Sequence, residues 1–180
     1  MDIKYREHLW QLFPKVEEAV CVEIGVAEGQ FSRDILNWGV KKLYSVDTWA
    51  TLNGQRGDGG NDQAWHDMNY QNTKNLLAKF GDKSELLRGL SHEMAARVDD
   101  NYIDLLYLDG DHSYDGVMRD LTAWYPKLKS GCICAGHDYL MQHYGVQRAV
   151  KDFTTNNKVF EVHTIFENKN EDAGFWFRKL

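Results

Sequence analysis

Two rhythms of apolar residues alternate along the chain. Short runs read as strands: Ala19 to Ile24, Lys42 to Val46, Glu85 to Arg88, Ile103 to Leu108 and Cys132 to Ala135. Most of these are continuously apolar, as expected for a parallel sheet covered on both faces. Between them, spacings of three and four predict helices. Phe31, Ile35 and Trp38 form one stripe, ended by Gly39. Trp65, Met68, Leu76 and Phe80 form a second over about 62–80. Val117, Leu121, Trp124 and Leu128 form a third after Ser113, broken near its end by Pro126. Leu9, Phe13 and Val16 predict an opening helix that stops near Glu17 and Glu18, Ser91 is the expected N-cap of a short helix, and a last helix covers about Gln147 to Phe153. Val159 to Phe166 and Gly174 to Phe177 read as closing strands. The class is α/β. Thr48 to Asn61, with Gly54, Gly57, Gly59 and Gly60, breaks both rhythms and predicts a long functional loop.

Composition narrows the setting. The 180 residues are 43% hydrophobic and 27% charged, the balance of a folded domain, and two prolines argue against a linker between domains. One domain over 1–180 is expected. Three cysteines, two of them spaced C-x-C at Cys132 and Cys134, and the lack of a signal-peptide pattern predict a reducing, cytoplasmic setting. No apolar run approaches the ~20 residues that span a bilayer. The net charge of −6, with no basic cluster, argues against nucleic acid as a partner.

The chemistry lies at strand ends. Glu23-Ile24-Gly25-Val26-Ala27-Glu28-Gly29 follows the first strand, and Asp47, 22 residues after Gly25, closes the second. An acid there can accept ribose hydroxyls, so a ligand with a ribose is predicted. The glycine spacing is not the G-x-G-x-x-G that seats a pyrophosphate, which disfavours a nicotinamide-dependent oxidoreductase, and no P-loop motif is present. Glu23 and Glu28 would repel a pyrophosphate yet suit an amino group and a sulfonium. S-adenosylmethionine carries both.

On Val22-Glu23-Ile24-Gly25-Val26-Ala27-Glu28-Gly29, Val46-Asp47-Thr48-Trp49, Leu108-Asp109-Gly110-Asp111-His112-Ser113-Tyr114 and Gly136-His137-Asp138-Tyr139, the sequence resembles class I S-adenosylmethionine-dependent methyltransferases. The nearer likeness is to small O-methyltransferases related to macrocin and catechol O-methyltransferases, from about Val20 to Tyr139. That resemblance implies a Rossmann-like, mostly parallel seven-stranded sheet with its last strand antiparallel and helices on both faces. It also implies that Glu23, Gly25, Glu28 and Gly29 hold the methionine part of the donor, Asp47 the ribose, and Ser91 and His92 the adenine.

Methyl transfer from a sulfonium requires an aligned oxygen that loses its proton. Asp109, Asp111, His112, His137 and Asp138 supply the parts. Resemblance to the metal-dependent branch points to Asp109, His137 and Asp138 as ligands, with Asp109 also beside the donor. That branch has an acid where His137 stands, so magnesium is the default while manganese, iron or zinc stay open. His112 is the first choice for general base and His137 the second. Trp49 and Tyr139 are candidate walls of the acceptor pocket. The predicted function is O-methylation of a small hydroxylated acceptor. A nucleotide-sugar glycosyltransferase using Asp109-Gly110-Asp111 is one alternative, and a non-catalytic S-adenosylmethionine-binding module is another. A chain this short has little material for a substrate cap, which leaves a homo-oligomer open.

Overall fold

The computed structural model describes residues 3–51, 62–141, 145–166 and 173–180, so part of the glycine-rich stretch after Thr51 and part of the segment between Tyr139 and Gly145 lie outside them. Seven strands form one sheet: β1 (Val20–Ile24), β2 (Lys42–Asp47), β3 (Ser84–Arg88), β4 (Ile103–Leu108), β5 (Leu128–Gly136), β6 (His163–Phe166) and β7 (Ala173–Arg178). Their order is β3-β2-β1-β4-β5-β7-β6. All pairs are parallel except those of β7, which runs antiparallel to both neighbours. This is the architecture that the motif resemblance implied.

Alternation along each strand sends successive side chains to opposite faces, and each face carries its own core. Leu106 of β4 packs with Leu121, Trp124, Val150 and Phe153 on one side. Leu105 and Tyr107 pack with Phe31, Ile35 and Leu9 on the other. The helices are α1 (Gln30–Asn37), α2 (Gln63–Leu77), α3 (Ser91–Met94), α4 (Tyr114–Trp124) and α5 (Val146–Asn156). Strand order reverses between β1 and β4, so the loops after Ile24 and Leu108 meet at the crevice where such folds bind ligands.

Several elements differ from the sequence pattern. The opening helix is two 3-10 segments, Arg6–Leu12 and Val16–Glu18. Pro14 stands between them, where it has no N–H to continue a helix. In α2 the buried residues are Asn69, Thr73 and Leu77, and Met68 is exposed, because the helix docks its Thr73 face on the loop after β1. Leu128 starts β5 instead of ending α4. Ser91 is the first residue of α3, whose cap is Leu90, and the Ser91 hydroxyl accepts from Trp124 Nε1 at 2.8 Å. Ser113, expected to open this helix, is the N-cap of α4, its hydroxyl accepting from the Gly116 N–H at 3.0 Å.

Candidate functional site

The loop after β1 is held from three sides. Gly25 has φ +84°, and a Cβ there would lie 2.0 Å from the Asp109 carbonyl oxygen. Its missing side chain lets the β1 and β4 ends run in contact, and the Asp109 N–H donates to Ile24 O at 2.7 Å. Gly29, also at positive φ, leads into α1, and its Cβ would meet Thr73 Cγ2 at 2.8 Å. Thr73 Oγ1 donates to Ala27 O at 3.0 Å. These two glycines therefore serve backbone crossing and helix packing as well as any ligand.

Asp47 is the third support. Its Oδ2 accepts from the Val26 and Ala27 N–H groups at 2.8 and 3.0 Å, and its Oδ1 accepts from the Trp49 N–H at 2.8 Å. A carboxylate has about four acceptor sites, so three backbone donors leave roughly one, on Oδ1, for a ligand hydroxyl. Trp49, expected at a loop tip, is instead 1% exposed. Its indole N–H donates to Ala27 O at 2.9 Å and its ring packs on Tyr70, so it pins the glycine loop from above.

Glu23 lies beneath that loop, 2% exposed. It accepts from the Ser32 hydroxyl, which is 2.9 Å from that of Ser45. Burial pushes its carboxyl up to about 8, against the Ser32 hydrogen bond, with Asp109 raising it further and Arg6 opposing. A positive charge placed against this carboxyl would favour its ionised form. Glu28 is exposed at the loop rim. Ser91, turned to Trp124, and His92, half-buried beside Asp115, Met118 and Arg119, lie on the α4 side of the sheet.

Asp109, His112, His137 and Asp138 form one cluster at the ends of β4 and β5. His112 Nε2 is 3.4 Å from Asp109 Oδ1 and 3.2 Å from Asp138 Oδ2. His137 Nδ1 is 3.0 Å from Asp138 Oδ1 and 3.7 Å from Asp109 Oδ1. One donor atom each from Asp109, His137 and Asp138 fit within 4.8 Å of one another. Asp138 takes φ +52°, a conformation rare for a residue with a side chain, between the His137 N–H bonded to Leu108 O and the Tyr139 N–H bonded to Ala173 O.

Asp111 stands apart. Its Oδ1 accepts from the Ser113 N–H at 2.9 Å, and its carboxyl fills the space where a Cβ on Gly116 would sit. The D-x-D pair is thus split between the cluster and a helix entry, which removes the observation behind the glycosyltransferase alternative. Two residues not singled out by sequence join the region. Arg6, from the N-terminal 3-10 segment, places NH1 3.9 Å from Asp109 Oδ2. Asp120 of α4 is 8% exposed, hydrogen-bonded to Ser91, and pushed up by burial to about 6. Neither carries a local signal, since an arginine in a helical pattern and an acid on a helix read as ordinary surface positions.

Comparison with known proteins agrees with this fold. Among solved structures, a putative rRNA methylase from Clostridium thermocellum superposes with a TM-score of 0.69 at 14% identity, covering 100% of both chains. The O-methyltransferase NovP superposes at 0.65 and 18% identity over 96% of this chain and 79% of that one. Spermidine synthase from Thermotoga maritima superposes at 0.63 and 14% identity, where 97% of this chain spans just 56% of the synthase. Identities this low establish the shared fold alone. A Sinorhizobium fredii protein, y4gI, is 36% identical over 62 residues, 34% of this chain but 7% of that protein's length. Residues 22–139, more than half of the chain and every anchor from the glycine loop to Asp138, match the family described as methyltransferase domain. The chain belongs to that methyltransferase-domain family.

Proposed function

We propose that the chain transfers the donor methyl group to an oxygen of a small hydroxylated acceptor, with a divalent cation held by Asp109, His137 and Asp138. The observation that carries this reading is the convergence of those three donor atoms within 4.8 Å beside the glycine loop. Two carboxylates suit magnesium, and the imidazole tilts the set toward manganese, iron or zinc. Such an ion, when bound, lowers the pKa of a hydroxyl that it ligates.

The chain's own residues supply the rest. Glu23, Gly25, Glu28 and Gly29 border the methionine part of the donor, and the remaining acceptor site on Asp47 Oδ1 takes one ribose hydroxyl. Ser91 and His92 border the adenine. His112, oriented by carboxylates at 3.2 and 3.4 Å, is the general base that removes the acceptor proton, with His137 as the second candidate. Tyr139, half-buried against Phe175, lines the acceptor side. One domain over 1–180 contains all of these groups.

Turnover of a panel of phenols, sugars and hydroxylated peptides, with and without chelator, tests the reading. Chelation, Asp109→Asn and Asp138→Asn should each cut methylation at least about 100-fold, with manganese or magnesium restoring the chelated enzyme. Turnover that persists through all three removes the metal. Donor binding without methylation of any acceptor would favour the non-catalytic module instead.

A further inference from the structure

We infer that Arg6 is a donor-binding residue that recognises the methionyl carboxylate of S-adenosylmethionine. This rests on the donor reading above and adds to it a residue that lies before the family-matched span.

The methionyl end of the donor is a zwitterion. Glu23 and Asp109 suit its ammonium and the adjacent sulfonium, but the carboxylate of Asp109 repels its carboxyl group. A fixed cation beside them offsets that repulsion. Arg6 occupies that position: its NH1 donates to the Tyr107 hydroxyl at 3.4 Å, and its guanidinium carbon lies 4.5 Å from the centre of the Phe31 ring, at the start of α1. NH1 is also 3.9 Å from Asp109 Oδ2, and the charge on Arg6 acts on buried Glu23. The side chain is 17% exposed, so its field is weakly screened. A guanidinium presents N–H donors in a rigid fork that matches a carboxylate, and stacking on Phe31 holds the fork in place before the ligand arrives.

The backbone that carries Arg6 is itself anchored. The Phe166 N–H donates to Lys4 O at 2.9 Å, Leu9 is fully buried, and Arg178 NH2 donates to Leu12 O at 3.3 Å. The N-terminal arm thus runs from the β6 edge to the donor crevice. A bland alternative is that Arg6 only steadies Asp109, and it makes a different prediction.

Calorimetric titration with S-adenosylmethionine and with its decarboxylated analogue separates the two, because the ligands differ only in the carboxylate. The wild type should bind the carboxylated ligand about 10- to 100-fold more tightly. In Arg6→Met that preference should collapse toward one, with affinity for the decarboxylated analogue changed less than about threefold, and Arg6→Lys should keep part of it. An equal loss for both ligands in Arg6→Met assigns Arg6 to Asp109 alone and overturns the inference. So does a wild-type preference near one, a result that needs no variant to fold. If the wild type binds neither ligand, the donor reading fails and this inference falls with it.

Discussion

The buried carboxyl of Glu23 couples protonation to folding and to any cation bound against it. Glu23 titrates near 4.5 in an unfolded chain and near 8 in the folded one. Between these values the folded chain holds a proton that the unfolded chain has released, so stability is present below the lower value and is lost as pH rises through the upper one. Asp120, raised from 3.8 to about 6, acts with the same sign over a lower window. Melting temperature of the ligand-free protein should fall as pH rises from about 5 to about 8.5, and Glu23→Gln should flatten the upper part of that fall. A donor ammonium or sulfonium favours ionised Glu23. Donor binding should therefore release a proton and tighten as pH rises toward 8, an effect absent from Glu23→Gln. Calorimetry in two buffers of different ionisation enthalpy reads this directly, and affinity independent of pH in the wild type would count against a donor role for Glu23. Neither the proton nor the Ser32 contact is legible from the motif, because Glu23 shows only as a charged residue before a glycine, and its neighbours come from α1 and β2.

Elements meet at the site through a few backbone crossings. The β1 and β4 loops touch at Gly25, where a side chain would fall 2.0 Å from a carbonyl and φ is +84°. Gly25→Ala should destabilise the fold by more than about 3 kcal/mol and weaken donor binding, as read by denaturant unfolding and titration, because the clash is with backbone that cannot swing aside. An Ala variant of near wild-type stability would mean that this crossing is looser than its geometry. The strands and the α4 cap were legible because period, turn residues and capping are contiguous in the chain. The face of α2 was not. Its apolar pattern pointed to Trp65, Met68, Leu76 and Phe80, of which Leu76 and Phe80 pack against the core while Met68 is exposed, and a polar residue, Thr73, adds a hydrogen bond to the Ala27 carbonyl. Periodicity reports burial against apolar cores, and only the C-terminal part of this helix meets one, while Thr73 docks on the loop after β1.

Over the whole molecule, the N-terminal arm links the far edge of the sheet to the crevice. Leu9→Ala, which removes a fully buried side chain from that arm, should cost about 2–5 kcal/mol in unfolding free energy. If the arm presents Arg6 as inferred, the same variant should weaken binding of S-adenosylmethionine more than that of its decarboxylated analogue. The chain alone determined the α/β class, five of the seven strands nearly to their ends, and the carboxylate and histidine set at the ends of β1, β2, β4 and β5. Each of those signals is written in consecutive residues, and the parallel architecture sends every such strand end to one rim. The tertiary structure decided the rest. It drew Asp47 onto the loop backbone, turned Asp111 to a helix entry, sank Trp49 over the glycine loop and brought Arg6 to Asp109. Except at Asp111, whose partners Ser113 and Gly116 follow it closely, these pairings join residues far apart in sequence. No local period encodes them, since they exist only once strand order and loop packing have fixed which side chains share a space.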